Sequence, residues 1–192
     1  LSSSSSNNIS QVTANSNTFY GLHLSSSSSN IITNSSFQNN TGYDVYLSGS
    51  LNSHCGNTFG DVNLTGNYPL LYYNYSINLE NQTLSNLILC NADGSNLSNI
   101  TVNGNLSGIL KNNGIQILLT ENARMNNINA TSSYNGILIS QSSNNTFINI
   151  TANSNSQEGL SIYISSNNTF TSITANSNND EGIYLLSSSN NT

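Results

Sequence analysis

The strongest constraint on this chain is that it repeats itself. SSNNTFINITANSN begins at Ser142, SSNNTFTSITANSN begins at Ser165, and residues 13–17 spell TANSN once more. Glycines open short apolar runs at Gly21 (GLHL), Gly42 (GYDVYL), Gly114 (GIQILL), Gly136 (GILI), Gly159 (GLSIYI) and Gly182 (GIYLL). Outside an irregular middle, neighbouring anchors lie roughly 21 to 23 residues apart, the length of one solenoid coil. A second apolar signature with spacing i, i+3, i+5 follows most of these runs, as in Leu97/Ile100/Val102, Met125/Ile128/Ala130, Phe147/Ile150/Ala152 and Phe170/Ile173/Ala175.

Neither signature is helical. The residues after each glycine alternate with period two, as a strand requires, and the i to i+3 step breaks that period once. Such a break is what a bend between two short strands produces. The pattern predicts an all-β fold, a parallel β-helix solenoid of about 22 residues per coil with three short strands per coil. Leu22, Leu24, Ile137, Ile139, Leu160, Ile162, Ile183 and Leu185 then point inward and stack. The repeated polar phrase marks a repeated corner, since Asn tolerates left-handed backbone. Asn15, Asn153 and Asn176 are expected to form amide ladders there.

The rhythm fails after Leu64. Residues 1–192 are expected to be a single β-helix segment of a longer chain, with insertions near 65–83 and 102–114. The first holds Pro69 together with Tyr68, Tyr72, Tyr73 and Tyr75. Two readings stand for it, a loop packed on the rod or a recognition loop, because clustered Tyr supplies contact area at low entropic cost.

Composition narrows the function classes. Hydrophobic residues make up 35% and charged residues only 5%, so the chain reads as a folded body with a polar surface rather than a charged disordered tail. Two Lys plus Arg against eight acids, for a net charge of -6, exclude a phosphate-neutralising groove and disfavour anionic membrane surfaces. No apolar run reaches the length of a membrane span.

The candidate chemistry is sparse. Cys55 and Cys90 each fall between an apolar run and the next signature, so stacked turns could bring them together as a bridge; two free thiols are the alternative. Glu158 and Glu181 precede coil glycines, with Asp180 beside the second. That arrangement reads either as solvated turns or as a cation site between rungs, and solvated turns are preferred. His23 and Asp44 are placed at one outward position of adjacent coils and read as a surface pair. No catalytic, cofactor-binding or metal-binding set is assigned, and no cofactor is expected. Asn63, Asn99 and Asn149 are outward Asn-x-Ser/Thr sites, candidates for sugars if the compartment supplies them. Leu138 and Tyr184 are placed in one outward column and Tyr46, Leu118, Tyr163 and Leu186 in another, which makes them the expected assembly contacts.

The glycine-led GIYL strand, the SSNNTF turn and the coil length resemble the right-handed parallel β-helix repeat family. That family includes pectate-lyase-like enzymes, copper-related accessory proteins of nitrous oxide reductase and many surface proteins. LILCNADGSNLSNITVNG followed by NNGI looks closest to Asn/Ser/Thr-rich archaeal surface members. The resemblance implies a right-handed solenoid. Its enzymes use clustered acids with Arg, Lys or His along one face, whereas Arg124 and Lys111 stand alone here. The expectation is therefore a non-enzymatic, extracellular or cell-surface β-helical rod. It would assemble with itself or with neighbouring surface proteins into a filament, sheath or surface layer, or serve as an adhesin stalk, with carbohydrate a possible partner. The alternative is a carbohydrate-active enzyme or carbohydrate-binding module of the pectate-lyase-like type.

Overall fold

The computed structural model describes residues 1–65, 70–103 and 112–192, and every strand among them pairs in parallel. The first stack comprises β1 (Asn8–Ser10), β2 (Tyr20–Ser25), β3 (Ile31–Phe37), β4 (Tyr43–Ser48) and β5 (Thr58–Leu64), with a short 3-10 turn at Asn52–Cys55. The second begins with β6 (Leu70–Tyr73), β7 (Asn78–Leu84), β8 (Asn86–Cys90) and β9 (Asn96–Asn103). It continues through β10 (Ile115–Leu118), β11 (Arg124–Thr131), β12 (Ile137–Ser140) and β13 (Thr146–Thr151). β14 (Leu160–Tyr163), β15 (Thr169–Thr174) and β16 (Ile183–Leu186) complete it.

Register follows from the apolar alternation. Leu87, Ile115, Ile137, Leu160 and Ile183 form one column of the six-stranded sheet; Leu89, Ile117, Ile139, Ile162 and Leu185 form another. Across the core, Leu97, Met125, Phe147 and Phe170 stack, the last two with ring centroids 4.9 Å apart. Each fully buried Leu or Ile stabilises the fold by about 1.5–3 kcal/mol. Ile183 and Leu185 keep the register, but on the last rung they are 46% and 47% exposed.

The bend inside the second signature is visible in the backbone. Asn127 and Asn149 have φ of 55° and 53°, and the ladder between β11 and β13 passes from Asn126↔Ile148 to Ile128↔Ile150 without pairing them. β13 is thus two short strands around a left-handed residue, which with β12 gives three per coil. Left-handed residues recur at Gln141, Asn144, Asn149 and Ser154, then at Ile164, Asn167, Ser172 and Ser177. Within TANSN the left-handed residue is Ser16, Ser154 or Ser177 rather than an Asn.

The inward amides do a different job. The Ala123 N–H donates to Asn145 Oδ1 at 2.8 Å, Asn145 N–H to Asn168 Oδ1 at 2.9 Å, and Asn168 N–H to Asn191 Oδ1 at 2.9 Å. A hydroxyl column runs likewise through Thr120, Ser142, Ser165 and Ser188. These side chains satisfy corner N–H groups that would otherwise be buried without partners. At the TANSN corner the buried amide is Asn155, bonded to Asn178, whereas Asn153 accepts from Asn176 N–H only on the surface.

One continuous rod is not what forms. Among the described residues, β4 pairs only with β2 and β5 only with β3, so there neither sheet of the first stack runs on into the second. Instead, the outward face of the six-stranded sheet closes the first stack: Ile88, Cys90 and Leu118 join Leu22, Leu24, Leu47 and Leu64 in one apolar cluster. Polar side chains of the second stack satisfy the free edge of β4. Asn112 Oδ1 accepts from Asp44 and Val45 N–H, Gln116 Nε2 donates to Leu47 O, and Gln141 Nε2 donates to Gly49 O.

The expected insertion near 65–83 is largely a coil of its own, because β6 and β7 lie in the two sheets of the second stack. Neighbouring rungs there are 18 residues apart (Asn81 to Asn99), then 28 (Asn99 to Asn127), against 22 or 23 later. The long step carries the expected insertion near 102–114, of which residues 104–111, with Lys111, lie outside the described residues, as do Tyr68 and Pro69.

Candidate functional site

Where the two stacks meet, tyrosines gather. Tyr43 and Tyr46 project from β4 with ring centroids 4.7 Å apart and nearly parallel. Tyr20, one rung below, stacks on both at 5.8 and 5.9 Å, and Tyr134 tilts against Tyr43 at 4.8 Å. Across from them, Tyr163 and Tyr184 meet edge to face at 5.8 Å on the six-stranded sheet. Between the two groups lies a cleft of about 310 Å³ lined by Tyr43, Tyr46, Asn135, Leu138, Ser140, Tyr163 and Ile164.

Burial raises the pKa of the Tyr43 and Tyr46 phenols, strongly for Tyr43; neighbouring tyrosines add to both, and Glu158 to Tyr43. They stay neutral at physiological pH, so they offer ring faces and hydroxyls rather than a base. His23 packs 4.9 Å from Tyr20 and 5.3 Å from Tyr46; burial, then the N-terminal ammonium, lowers its pKa.

Three acids cluster nearby, two of which, Glu158 and Asp180, act on Tyr134. One carboxylate oxygen from each of Glu158, Asp180 and Glu181 lies within 4.8 Å of the others. Burial first, then repulsion from Asp180 and Glu181, raises the Glu158 pKa, with a backbone hydrogen bond opposing them. The same Glu158 charge acts on Tyr134 and Tyr43. A smaller cleft of about 270 Å³ at the other end of the junction brings Asp93 and Glu121 near Asn52, Asn91, Leu119 and Gln141.

Several expected placements change. Tyr46 does not share a column with Leu118 and Tyr163; it pairs with His23 and faces the cleft from the opposite stack. Leu118 and Leu138 do point outward, with Tyr163 and Tyr184 further up the same columns, but the first stack covers them to 2% and 5% exposure. The inferred contact face therefore survives only at its far end, where Ile164 and Leu186 are 62% and 46% exposed. Asp44 is no surface partner of His23: it is fully buried, its carboxylate accepting from Asn40, Thr65 and Asn112. It takes the place of a coil glycine, and among the described residues no strand stacks on β4 beyond it.

Cys55 and Cys90 form a disulfide with Cα atoms 5.3 Å apart. They are not equivalent turns of adjacent coils. Cys55 ends the 3-10 turn of the first stack and Cys90 ends β8, so the bridge ties the two stacks. Tyr72 packs on Phe59 at 4.9 Å and donates its hydroxyl to Cys55 O, which makes it part of the same joint rather than a recognition loop. Asn63, Asn99 and Asn149 are exposed, although Asn99 is held in an amide ladder between Asn81 and Asn127. Tyr20, Tyr43, Tyr134 and Ile164 were not singled out in the sequence. The one signal for the three tyrosines is the placement of Tyr just ahead of, or at the start of, an apolar run, as in FYGLHL, GYDVYL and SYNGIL.

A family model described as a right-handed beta helix region matches residues 86–192. No curated protein and no solved structure matches the chain.

Proposed function

We propose that this chain, which belongs to the right-handed β-helix family, is a structural protein of an extracellular or cell-surface layer. In this reading it is a rigid body that stands against copies of itself or neighbouring surface proteins, as in the Asn/Ser/Thr-rich archaeal proteins its sequence resembles. The observation that carries it is the patch formed by exposed Ile164 and Leu186 with half-buried Tyr184, at the far end of a sheet whose outward Ile88, Leu118 and Leu138 are covered. Contiguous exposed apolar surface of this kind marks contact sites. The disulfide supports an oxidising compartment. Imaging native material, beside a Tyr184→Ser/Leu186→Ser variant, tests the reading. A lattice or filament that the variant weakens while remaining folded supports it; native material that is strictly monomeric overturns it.

The tyrosine cleft favours a second reading, a carbohydrate-binding module or a carbohydrate-active enzyme, since aromatic faces stack on sugar rings. A polysaccharide panel separates the two forms: binding alone indicates a module, and released oligosaccharides indicate an enzyme.

A further inference from the structure

The cleft combines two properties that sugar stacking does not require together. Three tyrosine rings line it, whose faces carry negative quadrupole charge, and the ionised groups that act on Tyr43 and Tyr134 are acids. His23, its pKa lowered, packs 5.3 Å from Tyr46 with the Leu1 ammonium on its carbonyl. Glu158 acts on Tyr43 and Tyr134, with Asp180 also acting on Tyr134. Among the described residues, no basic side chain lines the cleft. Arg124 sits instead at the start of β11 on the five-stranded sheet, where it lines a separate cleft with Glu80.

We propose that the cleft between the two stacks binds an organic cation, an alkylated ammonium group held against the faces of Tyr43, Tyr46 and Tyr163 and drawn in by Glu158. A cation within about 6 Å of a ring centroid is attracted by the quadrupole, more strongly when water is excluded. An alkylated ammonium ion suits this site better than a metal ion, because its methyl groups need apolar contact and Leu138 and Ile164 supply it. Asn135, the amide on the wall, accepts the Glu158 N–H through its Oδ1 at 3.2 Å, which ties the backbone of that acid to the cleft. Ile164 adds a separate indication. It is β-branched, left-handed at φ 49° and 62% exposed. A side chain held at that cost, with little burial to offset it, points to a contact from outside.

The cation site stands whether or not copies assemble. The whole chain, titrated by calorimetry and by NMR of the tyrosine rings, is offered choline, its neutral isostere 3,3-dimethylbutan-1-ol, and a neutral disaccharide. Choline should bind saturably and shift the Tyr43 and Tyr163 rings, with the isostere roughly ten-fold weaker. Glu158→Gln should weaken choline roughly three- to ten-fold and leave the isostere unchanged. Tyr163→Ser should remove binding; if that variant does not fold, the ligand pair and Glu158→Gln still decide the matter. Equal affinity for choline and the isostere, preference for the disaccharide, or no saturable choline binding overturns the proposal.

Discussion

Asn112 clasps Asp44 in both directions. Its Oδ1 accepts the Asp44 N–H at 3.1 Å while its Nδ2 donates to the Asp44 carboxylate at 3.1 Å, across 68 residues of sequence. Both side chains are buried, so the clasp closes the free edge of β4 where the stacks meet. Asn112→Ala strands the N–H groups of Asp44 and Val45 and removes one donor from a buried carboxylate. A loss of about 2–4 kcal/mol in urea denaturation is expected. A loss below about 1 kcal/mol would mean that water reaches the joint.

The disulfide should act on that joint and not on the later coils. It closes a sequence separation of 35, for which loop entropy implies about 3–4 kcal/mol. In a Cys55→Ser/Cys90→Ser variant, amide exchange should speed up in β4 and β5 and stay slow in β12 and β14. Uniform acceleration would show that the stacks unfold as one unit.

The difference between these regions explains what could be read from the residues. Coil, strand and corner are local, so the Ile137/Ile139 alternation and the i+3 step at Phe147/Ile150 disclosed them. Outwardness was legible too, and Leu118 and Leu138 do face out. What covers them was not, because the turn of the chain after Leu64 depends on pairing that no period encodes. The tyrosine cleft is invisible for the same reason: Tyr43 and Tyr163 belong to different stacks. Asp44 misled because GYDVYL looks like its neighbours, although the register aligns Asp44 rather than Gly42 with Gly21.

The coil glycines are there for space. A Cβ on Gly136 would sit 2.6 Å from Gly159 O and 2.8 Å from Ala130 O, both backbone atoms of a close-packed column. Gly136→Ala should destabilise by about 1–3 kcal/mol or prevent folding. Gly60→Ala, whose Cβ would meet only Thr33 Cγ2 at 3.5 Å, should be close to neutral. Similar costs at both positions would contradict the stacking.

Glu158 gives the stability a pH signature. Its folded pKa lies above the ordinary 4.5, so the ionised form opposes folding at neutral pH, and that penalty fades as pH falls through the raised value. Asp180 and Glu181 share the cluster, and Tyr134 lies against it. Glu158→Gln should therefore be more stable than the parent at neutral pH, with the gap closing on acidification toward pH 4.5. Denaturation midpoints across that window would refute this if the gap widened as the pH fell.

Ile164 sets stability against binding. At its corner the equivalent residues are Leu119, Gln141 and Ser187, all left-handed, and a β-branched side chain is the costliest choice there. Its N–H already bonds to Leu186 O at 2.9 Å, a contact any residue with an amide hydrogen would keep. Ile164→Asn should accordingly raise stability by about 1 kcal/mol, since Asn accepts left-handed backbone and little apolar burial is lost. The same change removes an apolar wall from the cleft and should weaken choline binding. Denaturation and titration of the one variant decide both halves. If stability falls, the corner is not strained; if stability rises and choline binding is unchanged, Ile164 is not held there by a ligand.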